Sequence, residues 1–139
     1  MKDLNWLKNN LIAHRGLHSK DKTIPENSFA SYTKALEKGY SIELDLNVLK
    51  DGTVLAFHDH NFKRLCNDPR ELKDVTYQEC EYLKLLDTEE KIPRFDQVLQ
   101  LVDKKVPLLI ELKPQGDVIF LCESFMKTIS SYQGVWAVF

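Results

Sequence analysis

An α/β protein built on a mostly parallel sheet is what this sequence predicts, and three observations carry that reading. Short apolar runs of strand length alternate with segments of helical spacing along the 139 residues. Charged side chains gather where several of the apolar runs end. No internal repeat or low-complexity linker interrupts the alternation, so residues 1–139 read as one domain.

The elements follow in order. Asn10 to His14 is a short apolar run that stops at Arg15-Gly16, as a buried strand would. After a polar loop, Pro25-Glu26-Asn27-Ser28 opens a helix that Asn27 or Ser28 can cap. Phe29, Tyr32, Ala35 and Leu36 lie on one helical face, and Gly39 is placed to end it. Ser41 to Val48 then alternates strictly, with Ile42, Leu44, Leu46 and Val48 on one face and Glu43, Asp45 and Asn47 on the other. Asp51-Gly52 signals a turn into a third strand, Thr53 to His58. Beyond a polar stretch, Thr76 to Lys84 reads as a short helix capped by Thr76, and Phe95 to Val102 as another behind Pro93. Val106 to Leu112 is a fourth strand. Asp117 to Ser131 is a helix expected to bury Ile119 or Phe120, Cys122, Met126 and Ile129. Gly134 to Phe139 is a last strand.

Bulk properties narrow the function. Hydrophobic content of 43% with 29% charged residues places the chain among globular proteins. A net charge of −2, with both signs mixed, leaves no footprint for nucleic acid or anionic lipid. Cys66, Cys80 and Cys122 are odd in number and scattered, which fits free thiols in a reducing compartment. The N-terminal segment lacks an apolar run of secretory length, and no stretch approaches a span of ~20 apolar residues. A cytoplasmic protein without a transmembrane segment is expected.

The chemistry lies at the strand ends. Glu43 and Asp45, two residues apart on a strand, project from one face. A solvated polar face would look the same, but a second pair, Glu111 and Lys113, closes the run VPLLIEL. That is the end of a strand where parallel sheets place their sites. Three carboxylates from two strands suit a hard cation such as Ca²⁺ or Mg²⁺. His14 and His58 each close an apolar strand and make a natural general acid and base. His18 and His60 sit in the adjoining loops as solvated residues. The tight turn at Asp51-Gly52 brings His58 toward Glu43 and Asp45, by a hairpin or by an abbreviated parallel crossover. In a hairpin with a two-residue loop, His58 would pair opposite Asp45.

The ordered set HRG (14–16), PENS (25–28), IELDL (42–46), DGTVLAFHD (51–59) and IELK (110–113) resembles the glycerophosphodiester phosphodiesterases, from about Leu11 to Phe139. The resemblance implies an irregular TIM (β/α)8-type barrel lacking one helix between strands two and three. It implies one divalent cation on Glu43, Asp45 and Glu111, with His14 and His58 as the acid–base pair. Arg15 is expected at the substrate phosphate, Lys113 near the phosphate or the carboxylates, and Glu26 lines the pocket and orients Arg15. The implied reaction releases glycerol 3-phosphate and an alcohol from a small glycerophosphodiester. Such a barrel takes ~250 residues, and this chain supplies about five of eight strands, so a domain truncated at its C-terminus is expected. Self-association would then cover the open sheet edges. The alternative reading is an inactive remnant that binds a divalent cation or a partner chain.

Overall fold

The computed structural model describes residues 3–139; the first two residues of the segment read for a leader lie outside the described residues. A single helical turn, α1 (Trp6–Asn9), precedes strand β1 (Ile12–Ala13). Helix α2 (Phe29–Lys38) leads to β2 (Ser41–Val48), β3 (Val54–Ala56) and the one-turn helices α3 (Lys63–Cys66) and α4 (Tyr77–Cys80). Helix α5 (Phe95–Val102), β4 (Leu108–Leu112), α6 (Val118–Ile129) and β5 (Trp136–Val138) complete the chain. Strands β1, β2, β4 and β5 lie side by side in that order, all parallel. Helices α2, α5 and α6 make the three crossovers between them, as parallel neighbours require. The mostly parallel α/β architecture is therefore as the alternation predicts.

Helix α2 begins where Ser28 accepts a hydrogen bond from the Ser31 amide, while the Ser31 hydroxyl accepts one from the Ser28 amide. It buries Tyr32 and Ala35 against Ile42, Leu44 and Leu46, the apolar face of β2. Phe95 and Val98 of α5, with Phe125 and Ile129 of α6, finish this main core. A second apolar cluster, including Phe57, Phe62, Leu65 and Leu72, holds the excursion between β3 and α5.

Of the two connections open between strands two and three, the chain takes the hairpin: β3 pairs antiparallel with β2, lies off the parallel path, and no helix stands between them. Other expectations need correction. The β2–β3 hairpin has Val48 opposite Val54 and closes on a three-residue loop. Gly52 at φ +87° accepts the left-handed position that such a bulged loop requires. This moves the register by one, and Phe57, rather than His58, meets Asp45. Helix α6 turns a different face inward: Leu121, Ser124, Phe125 and Ile129 are buried, whereas Ile119, Cys122 and Met126 are exposed. Both faces of that helix are apolar, so its spacing could not choose between them. The Thr76 helix is also a single turn, and the Thr76 hydroxyl bonds the Glu79 side chain rather than a helix amide. Among the described residues, no helix is long and apolar enough to cross a membrane.

Candidate active site

Strand β2 is where the fold concentrates polar side chains. β1 and β3 share one edge of β2 and run toward each other, since β1 is parallel to it and β3 antiparallel. Their ends meet beside residues 43–45. The Gly16 amide donates to the Glu43 carbonyl at 3.3 Å, and the Phe57 amide donates to the Asp45 carbonyl at 3.0 Å. His14 and His58, each just past a strand end, therefore arrive from opposite directions. On the other edge, parallel β4 sets Glu111 beside Asp45 in register. Topology alone thus brings residues from four strands to one place.

Glu43, Asp45 and Glu111 each offer a carboxylate oxygen within 4.8 Å of the others. Glu43 and Asp45 are buried to 4% and 0% exposure, unlike the polar face of an ordinary half-buried strand. Glu43 Oε2 accepts from the Arg15 amide at 2.9 Å, and His14 Nε2 lies 3.9 Å from the same oxygen. Asp45 Oδ2 accepts from Asn27 Nδ2 at 3.0 Å and lies 3.3 Å from Arg15 Nε. Among the described residues, Glu43 Oε1 and Asp45 Oδ1 are buried without a hydrogen-bond partner. Burial, reinforced by the neighbouring charge of Asp45, pushes the Glu43 carboxyl up to about 7. Buried carboxylate oxygens that repel one another and lack donors are what a cation would satisfy. These three residues fit a divalent metal, and the group could hold one.

Cations and donors frame the carboxylates. Lys113 Nζ donates to Glu111 Oε1 at 2.7 Å and holds Glu111 below the usual carboxylate range. Arg15 Nη1 donates to Glu26 Oε2 at 2.8 Å. Although burial opposes it, Arg64 and Arg15 keep Glu26 below its ordinary value. Arg15 adopts φ +56°, and Gly16 follows at φ +75° with its Cα against Ser31, where a Cβ would collide. Only glycine allows the chain to pass there, which turns Arg15 back over β2. His14 is largely exposed, while His58 is partly covered and lies with Nδ1 2.8 Å from Asp59 Oδ1. His18 and His60 are exposed in the loops.

The structure thus gathers His14, Arg15, Glu26, Glu43, Asp45, His58, Glu111 and Lys113, and it adds residues that sequence reading missed. Asn27, at φ +49°, bridges Tyr32 and Asp45: the Tyr32 hydroxyl donates to its Oδ1 at 2.8 Å. Asn47 donates through Nδ2 to the carbonyls of Phe57 and Asp59, pinning the His58 loop. Arg64 binds Asp59 and Glu26. Asn27 lies within PENS and Asn47 on the polar face of β2, and their amides were the available signal. Arg64 carried none.

Comparison with known proteins agrees with this arrangement. Residues 14–136 match the Glycerophosphoryl diester phosphodiesterase family. A glycerophosphodiester phosphodiesterase of Caldanaerobacter subterraneus is 34% identical, over 91% of this chain and 54% of its own length. One from Bacillus altitudinis is 30% identical, over 78% and 46% respectively. The chain spans about half the length of these curated relatives. Among solved structures, an Oleispira antarctica phosphodiesterase in complex with the product sn-glycerol-3-phosphate superposes with a TM-score of 0.82. It is 22% identical, with 94% of this chain and 57% of that one covered. The Thermotoga maritima glycerophosphodiester phosphodiesterase gives 0.75 at 24% identity, covering 93% and 53%. The sheet described above is thus part of the barrel of these enzymes, and the chain belongs to the glycerophosphoryl diester phosphodiesterase family.

Proposed function

We propose that the protein carrying this chain hydrolyses glycerophosphodiesters to glycerol 3-phosphate and a free alcohol. The convergence of three carboxylates, two of them holding unpartnered buried oxygens, with two histidines and Arg15 carries this reading. The product bound to the Oleispira relative supports it. Glu43, Asp45 and Glu111 would hold one Ca²⁺ or Mg²⁺, which supplies charge neutralisation for the anionic diester.

The side chains would divide the remaining work. Arg15, braced by Glu26 and Asp45, presents its guanidinium to the phosphate, and Lys113 adds a second positive charge. His14, open to solvent, takes a proton from the attacking water as the new P–O bond forms, or from a glycerol hydroxyl, in which case water then opens the cyclic phosphodiester to glycerol 3-phosphate. His58 has Nδ1 engaged by Asp59, so its Nε2 delivers a proton to the departing alcohol oxygen as the old P–O bond breaks. The three free thiols support a cytoplasmic setting.

The test is release of glycerol 3-phosphate from glycerophosphocholine by the full-length protein, with Ca²⁺, with Mg²⁺ and with a chelator. Release that depends on one of these cations is expected. No release under any condition would refute the proposal.

A further inference from the structure

Arg64 lies in the excursion between β3 and α5, away from the strand ends, yet its guanidinium reaches the site. It sits on α3, anchored by the buried Leu65 beside it. The guanidinium engages two carboxylates at once. Nε and Nη2 donate to Asp59 Oδ2 and Oδ1 at 2.8 and 3.0 Å. Nη1 and Nη2 donate to Glu26 Oε1 and Oε2 at 2.7 and 3.2 Å. Each carboxylate then touches a second group: Asp59 Oδ1 meets His58 Nδ1 at 2.8 Å, and Glu26 Oε2 accepts from Arg15 Nη1 at 2.8 Å. One guanidinium therefore closes a continuous chain from His58 to Arg15.

We infer that Arg64 is a positioning residue: by clamping Asp59 and Glu26 in place, it fixes the ring of His58 and the guanidinium of Arg15. The double fork is what does this. Two carboxylates sharing a partly open pocket repel, and each has free rotation about its last bond. Planar donors on two sides of one guanidinium remove both freedoms, whereas a lysine could neutralise charge but not fix both planes. Asp59 needs this support because its neighbour Asn47 pins only the backbone of the loop. The second core thus has a task beyond its own stability, since it carries Arg64 to the mouth of the site. The kinetic consequence rests on the proposed phosphodiesterase activity; the geometric consequence does not.

The experiment compares R64Q, R64K, D59N and R64Q/D59N with wild type in the full-length protein, with K63Q as a control on the same helix. One readout is the NMR signal of the His58 Nδ1 proton, sheltered while it is bonded to Asp59. The other is kcat and KM for glycerophosphocholine. K63Q should match wild type. R64Q should lose the proton signal and about tenfold in kcat, with R64K between the two. D59N should lower kcat with little change in KM, and the double variant should lose less in kcat than the product of the two single losses, because both share the Asp59 contact while R64Q alone also releases Glu26. Should R64Q melt earlier than wild type, R64K carries the comparison, having kept the charge and lost the fork. A His58 proton signal unchanged in both R64Q and R64K overturns the inference, as does full multiplication of the two kcat losses in the double variant. A wild-type protein that hydrolyses nothing while R64Q still abolishes the signal refutes the activity and leaves the clamp standing.

Discussion

Glu43 offers the most quantitative handle on the site. Its carboxyl is raised from 4.5 to about 7 by burial and by Asp45. Below pH 4.5 the group is protonated whether folded or unfolded, and its contribution to stability is complete. As pH rises through 7 it ionises in the folded protein against that burial, and the contribution is lost. The loss corresponds to about 3 kcal/mol of stability in the cation-free protein. E43Q removes the titration while its amide oxygen can still accept from the Arg15 amide. In chelator at pH 8, E43Q should therefore exceed wild type by roughly 2–3 kcal/mol, and at pH 4.5 the two should converge. The site's lowered carboxyls do not blur this window. Glu26, Asp59 and Glu111 are all lowered, so their contributions are present above the ordinary carboxylate range and fade only on acidification below it. Added cation at a thousand times its Kd should reverse the order at pH 8, because it stabilises wild type by about 4.1 kcal/mol and E43Q lacks one of its three carboxylates. Urea denaturation of the full-length protein at the two pH values, with chelator and with Ca²⁺ or Mg²⁺, measures each arm. Equal stability of the two proteins at pH 8 in chelator would refute the reasoning about Glu43. Undiminished stabilisation of E43Q by cation would refute its place among the ligands.

Two further perturbations separate chemistry from scaffolding. H58A should lower kcat by about 100-fold or more while leaving the cation-induced rise in stability intact, since His58 contacts Asp59 rather than the carboxylate group; near-normal turnover would remove His58 from its proposed role. G16A should cost more than about 1 kcal/mol in urea denaturation, because alanine must take φ +75° and its Cβ strikes Ser31. The Ser31 hydroxyl also donates to the Arg15 carbonyl, so turnover should fall with stability; a variant as stable and active as wild type would show that the close approach is dispensable.

Legibility in the sequence followed periodicity. Strand β2 matches its expected span, Ser41–Val48, because strict alternation and flanking turn residues leave one reading. Helix α5 likewise matches Phe95–Val102 behind Pro93. Where two physical solutions share one pattern, sequence alone could not choose. Asp51-Gly52 suits a two-residue loop and a three-residue bulged loop equally, and the difference decides whether Phe57 or His58 faces Asp45. In α6, apolar residues on both faces left the inward one undetermined until α5 and β2 packed against Phe125. The excursion carrying Arg64 has no period at all. Its fold depends on Phe57, Phe62, Leu65 and Leu72 meeting across distant segments, and such meetings leave no local trace.

The candidate site shows the same division at the scale of single residues. Alternation places Glu43, Asp45 and Asn47 together, but it equally describes a strand with its polar face in water. Burial separates the two cases, and burial comes from elsewhere in the chain. Arg15 at φ +56° and Gly16 fold the end of β1 over Glu43. Asn27 leans on Asp45 from the start of α2, and Asn47 draws the His58 loop down upon the strand. Those contacts take water from the two carboxylates without giving donors to Glu43 Oε1 or Asp45 Oδ1. An isolated strand with this sequence would ionise like any acidic peptide. The raised Glu43 and the unpartnered oxygens are properties of the covering, so the proposed affinity of the site for a cation would depend on residues outside the three carboxylates.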